Sequence, residues 1–314
     1  MGGFAKALRT IPAMLALGRA LEAQAPRAVL VNFTNPSGLV TEAMLRHTNV
    51  NTIGLCNIPV TFQLELARAL RAAREDIALD YVGLNHLSWV RDVRRQGEDV
   101  TAKVLAWAGQ TGGPACLRDL EYPPEFIRAL GMVPMPYLRY FYLTDRMIAD
   151  QKGQARTRAE EVMEIEAELM KIYADPASDR KPELLSRRGG ANYSLAALTL
   201  IESIHFNRGD VQIVDAQNRG TIGFLPDAAV IEAPCRIDRD GASPLPARPL
   251  PPAIAGLVAA VKAYEDLTVQ AAVEGSYDKA LLALVTHPLG PDAGRARAVL
   301  DDILMTHNIQ LDKV

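Results

Sequence analysis

The sequence is poor in cysteine, has no long apolar run and carries no block of one charge. Cys56, Cys116 and Cys235 are the only cysteines in 314 residues. They are too few and too scattered for a disulfide framework and lack CxxC spacing, so a reducing, cytoplasmic setting is the expectation. No apolar stretch reaches the roughly 18 residues needed to span a bilayer, and no membrane partner is expected. Lys and Arg number 34 against 37 Asp and Glu, a net charge of −3. Without a basic cluster the chain has no phosphate-backbone footprint, which argues against nucleic acid as a partner. It also has no internal repeat and no GxGxxG turn after a strand. What is present is a globular composition, 49% hydrophobic and 23% charged, which excludes the disordered and collagen-like classes. The length suits one large domain or two ordinary ones.

Met1 to Ala23 has Lys6, Arg9 and an apolar centre, but Phe4, Leu8, Ile11 and Leu15 recur at helical spacing, favouring an amphipathic helix over a signal peptide. Arg27 to Phe33 reads as a buried parallel strand. Asn35-Pro36-Ser37-Gly38 turns the chain into a helix near Thr41 to Arg46. Thr52 to Leu55 is a second strand, followed by a helix with Pro59 in its first turn and Phe62, Leu66 and Leu70 on its buried face. This order predicts part of a doubly wound α/β sheet over residues 1–75. From Ile77 the pattern changes. Strand-like runs at 79–84, 88–93, 211–215 and 228–233 sit among helices at 156–173, 192–204, 252–272, 279–285 and 293–304, predicting an α+β domain over 76–314. The stretches 175–181 and 241–252 read as loops.

Ligands of α/β sheets bind at strand ends, where loops line a crevice and helix N-termini offer free N–H groups. Asn35 and Cys56 fall at such ends. Cys56 is either a thiol given thiolate character by a helix N-terminus or a small buried apolar side chain. His86, after Gly83-Leu84-Asn85, is either a hydrogen-bonded structural residue or a ligand. A thiolate and an imidazole would leave a divalent cation open positions for substrate oxygens. Tyr137 could act as a base only if cations lowered its pKa by about three units; otherwise it is a core tyrosine. Arg156 and Arg158 open a helix, where guanidinium and backbone donors can converge on a phosphate, or are simply solvated. Arg187-Arg188-Gly189-Gly190 repeats the theme.

Taken in order, VNFTNPSG (31–38), GLCNIPV (54–60), GLNHLSW (83–89), PYLRYF (136–141), TRAEEVMEIE (157–166), RGGANYS (188–194) and THPLGPD (286–292) closely resemble the NAD- and metal-dependent family-four glycoside hydrolases, especially the 6-phospho-β-glucosidases. The resemblance runs from Gly3 to about Asp292. It implies a Rossmann-like sheet followed by an α+β domain similar to the C-terminal domain of lactate and malate dehydrogenases. It also implies an oxidative elimination, in which C3 of the sugar is oxidised by hydride transfer to NAD, the C2 proton is removed, the C1 group leaves and water adds. Carried over by motif, Cys56 and His86 would hold a divalent metal, usually manganese, and Tyr137 would be the base at C2. Arg158 would grip the 6-phosphate, and Asn35 and Asn57 would contact sugar hydroxyls. Members acting on α-linkages tend to have aspartate where Asn57 stands, so the β reading is favoured over an α-glucosidase or α-galactosidase. The implied partners are a phosphorylated disaccharide or glucoside and further copies of the chain, as a homo-dimer or homo-tetramer.

One departure is plain. The family's opening strand and glycine-rich turn, which hold the NAD pyrophosphate, have no counterpart, so a truncated gene model or a genuine fragment is the expectation. A non-catalytic sugar-phosphate-binding or assembly module is the alternative. Strand 27–33 would then present an unpaired apolar edge. The isolated chain is expected to be poorly soluble, to pair with another copy through that strand, or to need a completing partner. A soluble monomer by light scattering that melts cooperatively in calorimetry would contradict this.

Overall fold

The computed structural model describes residues 2–107, 115–118, 122–190 and 192–312. The elements are α1 (Gly2–Gln24), β1 (Val29–Asn32), α2 (Ser37–His47), β2 (Asn51–Gly54), α3 (Asn57–Leu70), β3 (Ile77–Leu84), β4 (Leu87–Arg95), β5 (Glu98–Asp99), α4 (Thr101–Trp107), α5 (Ala115–Arg118), α6 (Pro124–Leu130) and β6 (Val133–Pro134). The chain continues through α7 (Arg139–Tyr142), α8 (Thr144–Gly153), α9 (Arg158–Tyr173), α10 (Leu185–Arg188), α11 (Tyr193–Phe206), β7 (Asp210–Gln217), β8 (Val230–Asp238), β9 (Gly241–Pro244), α12 (Pro252–Glu274), α13 (Tyr277–Thr286) and α14 (Ala293–Thr306). This is an α/β protein with two sheets. The 241–252 segment departs from the loop expected of it, because Gly241–Pro244 pairs with β8 as a short edge strand. Its Gly-Ala-Ser-Pro sequence lacks the β-branched residues that signal a strand.

The first sheet has the order β1-β2-β7-β8-β9. β1 and β2 run parallel, with Val31 beside Ile53, and β7 joins β2 antiparallel where Asp215 meets Gly54. A Cβ at Gly54 would run into Thr41 and Asp215, so only glycine permits this approach. β1 is the outer strand among the described residues. Its Val29, Leu30 and Val31 are half-buried rather than enclosed on both faces, and its apolar edge is unpaired there.

The second sheet has the order β3-β4-β5, with β6 on β4. Asp80 faces Asp92 but Tyr81 faces Val90, which leaves Arg91 as the extra residue of a bulge. Arg91 is held there by Asp80 Oδ1 at 2.8 Å and the Arg248 carbonyl at 2.8 Å.

The packing crosses the boundary read at residue 75. Phe4, Leu8, Ile11 and Leu15, the stripe predicted for the first helix, are buried against Val269, Tyr277, Leu284 and Leu300 of the C-terminal helices. Each such side chain contributes about 2 kcal/mol of transfer free energy. A buried ion cluster ties α2, β8 and α12 together. Lys262 Nζ lies 2.8 Å from Glu42 Oε2, 2.5 Å from Glu265 Oε2 and 2.7 Å from the Val230 carbonyl. Glu42 Oε2 also accepts the Val230 N–H at 3.0 Å. Burial works against the Lys262 charge, but Glu265 and Glu42 carry its pKa up to about 12.

Removing one member of such a cluster strands the others in a region of low dielectric. Lys262→Ala is expected to lower unfolding free energy by about 3–5 kcal/mol, measured by urea denaturation at neutral pH.

Candidate active site

Three chain reversals gather the site. After β1, Asn32 stays buried and donates to Thr41 Oγ1 at 3.1 Å while accepting the Thr34 N–H at 3.0 Å. That arrangement carries the chain through a cis Asn35-Pro36 bond into α2. After β2, Cys56 is the N-cap of α3, in extended backbone with its side chain buried. Between β3 and β4, Asn85 and His86 form a two-residue turn, and His86 has φ 66°. A non-glycine residue in the left-handed region is uncommon, and such backbone concentrates at functional sites.

Cys56, His86 and Tyr137 meet. The rings of His86 and Tyr137 lie 4.2 Å apart at 36°, the Asn85 amide lies beside Cys56, and Cys56 is close enough to Tyr137 for its charge to act on the phenol. Tyr193 at the start of α11 also feels Cys56 and receives a hydrogen bond from Asn35 Nδ2 at 3.3 Å. Asn35 therefore belongs to the same neighbourhood, and its Oδ1 is buried without a partner, an acceptor available to a ligand donor. Asn57 follows Cys56, with its Oδ1 4.0 Å from Cys56 Sγ.

The surroundings favour the protonated forms of Cys56 and Tyr137. The Cys56 thiol is pushed well above its ordinary value by burial first and by Glu232 and Asp215 next, which outweigh the Ile58 N–H and the Asn85 amide. A helix N-terminus thus does not make Cys56 a thiolate on its own, because desolvation and two carboxylates exceed the helix contribution. Tyr137 also rises, through burial, Cys56 and Tyr140, with Arg139 pulling the other way. His86 is driven by burial down to about 4 and is neutral at pH 7, the form in which imidazole ligates.

Arg158 lies apart. Among the described contacts none joins it directly to Cys56, His86 or Tyr137. It donates to the carbonyls of Arg187 at 2.8 Å and Arg188 at 3.3 Å and pairs with Glu161 at 3.1 Å. It lines a hollow of about 510 Å³ with Arg156 and Arg187. The helix opens at Arg158 rather than Arg156, because Thr157 caps it and exchanges bonds with Glu160. Gly189 and Gly190, both at positive φ, lead from this hollow toward Tyr193; residue 191 of that motif lies outside the described residues. A separate cavity of about 700 Å³ is lined by Leu55, Tyr81, Asp92, Gln212 and Arg248, not by Cys56, His86 or Tyr137.

Sequence reading passed over the carboxylates behind the site. Glu232 on β8 is fully buried, receiving hydrogen bonds from Tyr81 Oη at 2.6 Å, Asn85 Nδ2 at 3.1 Å and Ser88 Oγ at 3.3 Å. Burial raises its pKa to about 7 against those donors. Asp215, opposite Glu232 in the sheet, accepts from Ser37 Oγ at 2.6 Å and is held well above the usual carboxylate range by burial and by Glu232. The single acid within each of the apolar runs 211–215 and 228–233 was the available signal.

Residues 1–72 match the family described as family 4 glycosyl hydrolase, and residues 81–290 match the family 4 glycosyl hydrolase C-terminal domain. A probable 6-phospho-β-glucosidase of Bacillus subtilis strain 168 is 38% identical over 317 residues, covering 99% of this chain and 72% of the relative. The chain belongs to glycosyl hydrolase family 4. The 6-phospho-β-glucosidase of Thermotoga maritima, solved with manganese, NAD+ and glucose 6-phosphate, aligns at TM-score 0.88 and 36% identity, covering 100% of this chain and 74% of that one. Malate dehydrogenase of Plasmodium falciparum, 14% identical, aligns at TM-score 0.51 over 85% of this chain and 70% of its own, a likeness of fold alone. The fold is thus that expected, part of a Rossmann-like sheet followed by an α+β region of dehydrogenase type. Among the described residues no helix is long and apolar enough to cross a membrane.

The last matched motif supplies a test. His287 at the end of α13 accepts the Leu289 N–H at Nδ1, 3.0 Å away, and its ring packs 4.6 Å from that of Tyr264. Burial lowers its pKa to about 4, against about 6.5 in an unfolded chain. Below pH 6.5 the unfolded state binds a proton that the folded state refuses, so this contribution is full above pH 6.5 and fades as pH falls toward 4. The stability advantage of the wild type over His287→Gln is expected to shrink by about 1 kcal/mol between pH 7.5 and pH 5, after discounting for partial exposure, measured by denaturant titration at each pH.

Proposed function

We propose that this chain carries the catalytic residues of a 6-phospho-β-glucosidase acting on phosphorylated glucosides or disaccharides in the cytoplasm. The observation that carries the reading is the meeting of a thiol, an imidazole and a phenol at adjoining strand ends, with the ring contact of His86 and Tyr137 at 4.2 Å. Cys56 and His86 would hold the divalent cation. Among the described residues no group of three or more His, Cys, Asp or Glu is placed to bind a metal, and two protein donors suit a cation that completes its shell with substrate oxygens. The unpartnered Asn35 Oδ1 fits a site that receives a sugar hydroxyl. Thiolate is a soft ligand for manganese, so the choice of metal follows the relatives and not the donor set.

When bound, NAD supplies the hydride acceptor for C3 and the cation supplies positive charge beside the C2 and C3 oxygens. The residues of this chain do the rest. Asn35 and Asn57 orient the sugar through its hydroxyls, and Arg158 anchors the 6-phosphate. Tyr137, once deprotonated, takes the C2 proton of the 3-keto sugar. The electrons released expel the C1 group, water adds at C1 as Tyr137 gives the proton back to C2, and C3 regains the hydride taken from it, so that no net oxidation remains. Arg139 favours the phenolate against burial. Residues 1–75 form part of the dinucleotide domain and 76–314 the domain for substrate, metal and self-association. The sequence contains no glycine-rich turn after a strand, so no pyrophosphate contact follows from its residues. Association as a homo-dimer or homo-tetramer is supported by the outward face of α11, where Leu198, Ile201 and Phe206 are 59%, 49% and 64% exposed. Asn57 favours the β-linkage over the α-glucosidase or α-galactosidase reading.

The test is release of nitrophenol from p-nitrophenyl 6-phospho-β-glucoside with NAD and manganese, by this chain alone and joined to the amino-terminal segment of the Thermotoga maritima relative. Tyr137→Phe is expected to reduce kcat by about 10²–10⁴ with little change in binding of glucose 6-phosphate. Absence of turnover with every 6-phospho sugar in both forms rejects the enzyme reading. Binding of glucose 6-phosphate without turnover supports the second reading, a sugar-phosphate-binding module.

A further inference from the structure

The buried carboxylate Glu232 touches neither of the two proposed metal donors, yet it grips the residue between them. Asn85 occupies one position of the two-residue turn whose other position is His86. Its Nδ2 donates to Glu232 Oε1 at 3.1 Å, and its amide lies close enough to Cys56 to act on the thiol. An amide nitrogen has two hydrogens, so the one bonded to the carboxylate leaves a second for the sulfur side. The far side of Glu232 is clamped, since Oε2 accepts from Tyr81 Oη at 2.6 Å and from Ser88 Oγ at 3.3 Å, and those two hydroxyls lie 2.5 Å apart. Tyr81, Ser88 and Glu232 are all buried. The carboxylate therefore has one position, and through it the Asn85 amide has one position.

We infer that Glu232 is a positioning residue for the metal donors, acting through Asn85: it fixes the amide that fixes the Cys56 sulfur and anchors the turn that presents His86. This rests on the reading that Cys56 and His86 hold the cation. The chemistry is that of an outer layer of hydrogen bonds, which orients metal ligands and whose loss ordinarily weakens metal affinity by about 10–100-fold. Three features make the geometry more than incidental. The acid lies in a strand whose other inward residues are apolar, its three donors all come from the β3–β4 hairpin of the other sheet, and the residue it holds is adjacent in sequence to one proposed donor and lies beside the other.

The experiment titrates the full chain with Mn2+ alone at pH 7.5, following the free Mn2+ signal by electron paramagnetic resonance. Wild type is compared with Asn85→Ala, Glu232→Met, the double variant and Glu232→Gln, with Cys56→Ala as control. Asn85→Ala and Glu232→Met are each expected to weaken Mn2+ binding by about 10–100-fold. The double variant should be no weaker than Asn85→Ala by more than about 2-fold, because both changes remove one linked device. Glu232→Gln keeps an oxygen for Asn85 and is expected to stay within about 3-fold of wild type. Unaltered affinity in Glu232→Met, or losses that multiply in the double variant, overturns the inference. Should Glu232→Met fail to fold, Asn85→Ala decides alone: Glu232 reaches Cys56 through Asn85, so wild-type affinity there also overturns it. If Cys56→Ala binds Mn2+ as wild type does, the metal reading itself fails, an outcome distinct from the loss of the positioning role only.

Discussion

Charge buried at the junction of two sheets is the constraint on which the rest of the molecule depends. Glu42, Glu232, Glu265 and Asp215 are all buried where α2, β7, β8 and α12 converge, and Lys262 is the buried cation among them. Each acid is tolerable only because donors reach it: Lys262 and the Val230 amide for Glu42, Ser37 for Asp215, and Tyr81, Asn85 and Ser88 for Glu232. Those donors come from segments far apart in sequence. Satisfying the acids therefore fixes the relative placement of α2, the first sheet and the β3–β4 hairpin, and with it the spacing among Asn35, Cys56 and His86.

This arrangement accounts for the electrostatics of the site without a ligand. Burial with Glu232 and Asp215 holds Cys56 protonated, burial with Cys56 and Tyr140 holds Tyr137 protonated, and burial alone keeps His86 neutral. The groups are poised to lose protons only when positive charge arrives, a coupling of metal binding to proton release that sulfur and phenol donors share. A site of this kind is quiet when empty, and its reactivity is conferred by what enters it.

Much of this was legible beforehand, and the failures have physical causes. Alternation and helical spacing located β3, β4, α1, α12 and α14 because each has one apolar face. Cys56, His86 and Tyr137 were found by the company they keep in short segments, and they do converge. What spacing could not reveal was tertiary pairing. The antiparallel meeting of Asp215 with Gly54 draws β7 into the sheet begun by β1 and β2, so the packing does not respect residue 75. Of the two readings of Cys56, local helix geometry could not decide, because burial and the carboxylates contributed from β7 and β8 raise the thiol and lie far off in sequence. Arg158 was open to two readings, a phosphate seat or a solvated cation; its guanidinium is engaged with Glu161 one turn along the helix and with two carbonyls from residues 187 and 188, the latter a pairing that spacing does not show.

The bulge at Arg91 has a consequence for how this architecture can vary. Side chains alternate across a strand, so the surplus residue advances the phase of everything between it and the hairpin tip. Ser88 and Tyr81 both lie on the tip side of that offset, where Ser88 opposite Gly83 shares a face with Tyr81 and both hydroxyls reach the same acid. A one-residue slip of register at the tip would rotate the hydroxyl of Ser88 to the opposite surface and take from Glu232 one of its three donors. Natural variants of this hairpin should accordingly exchange side chains freely on its solvent side while preserving its length, since arithmetic along the strand, more than the identity of most residues in it, keeps the imidazole at the tip against the ring of Tyr137.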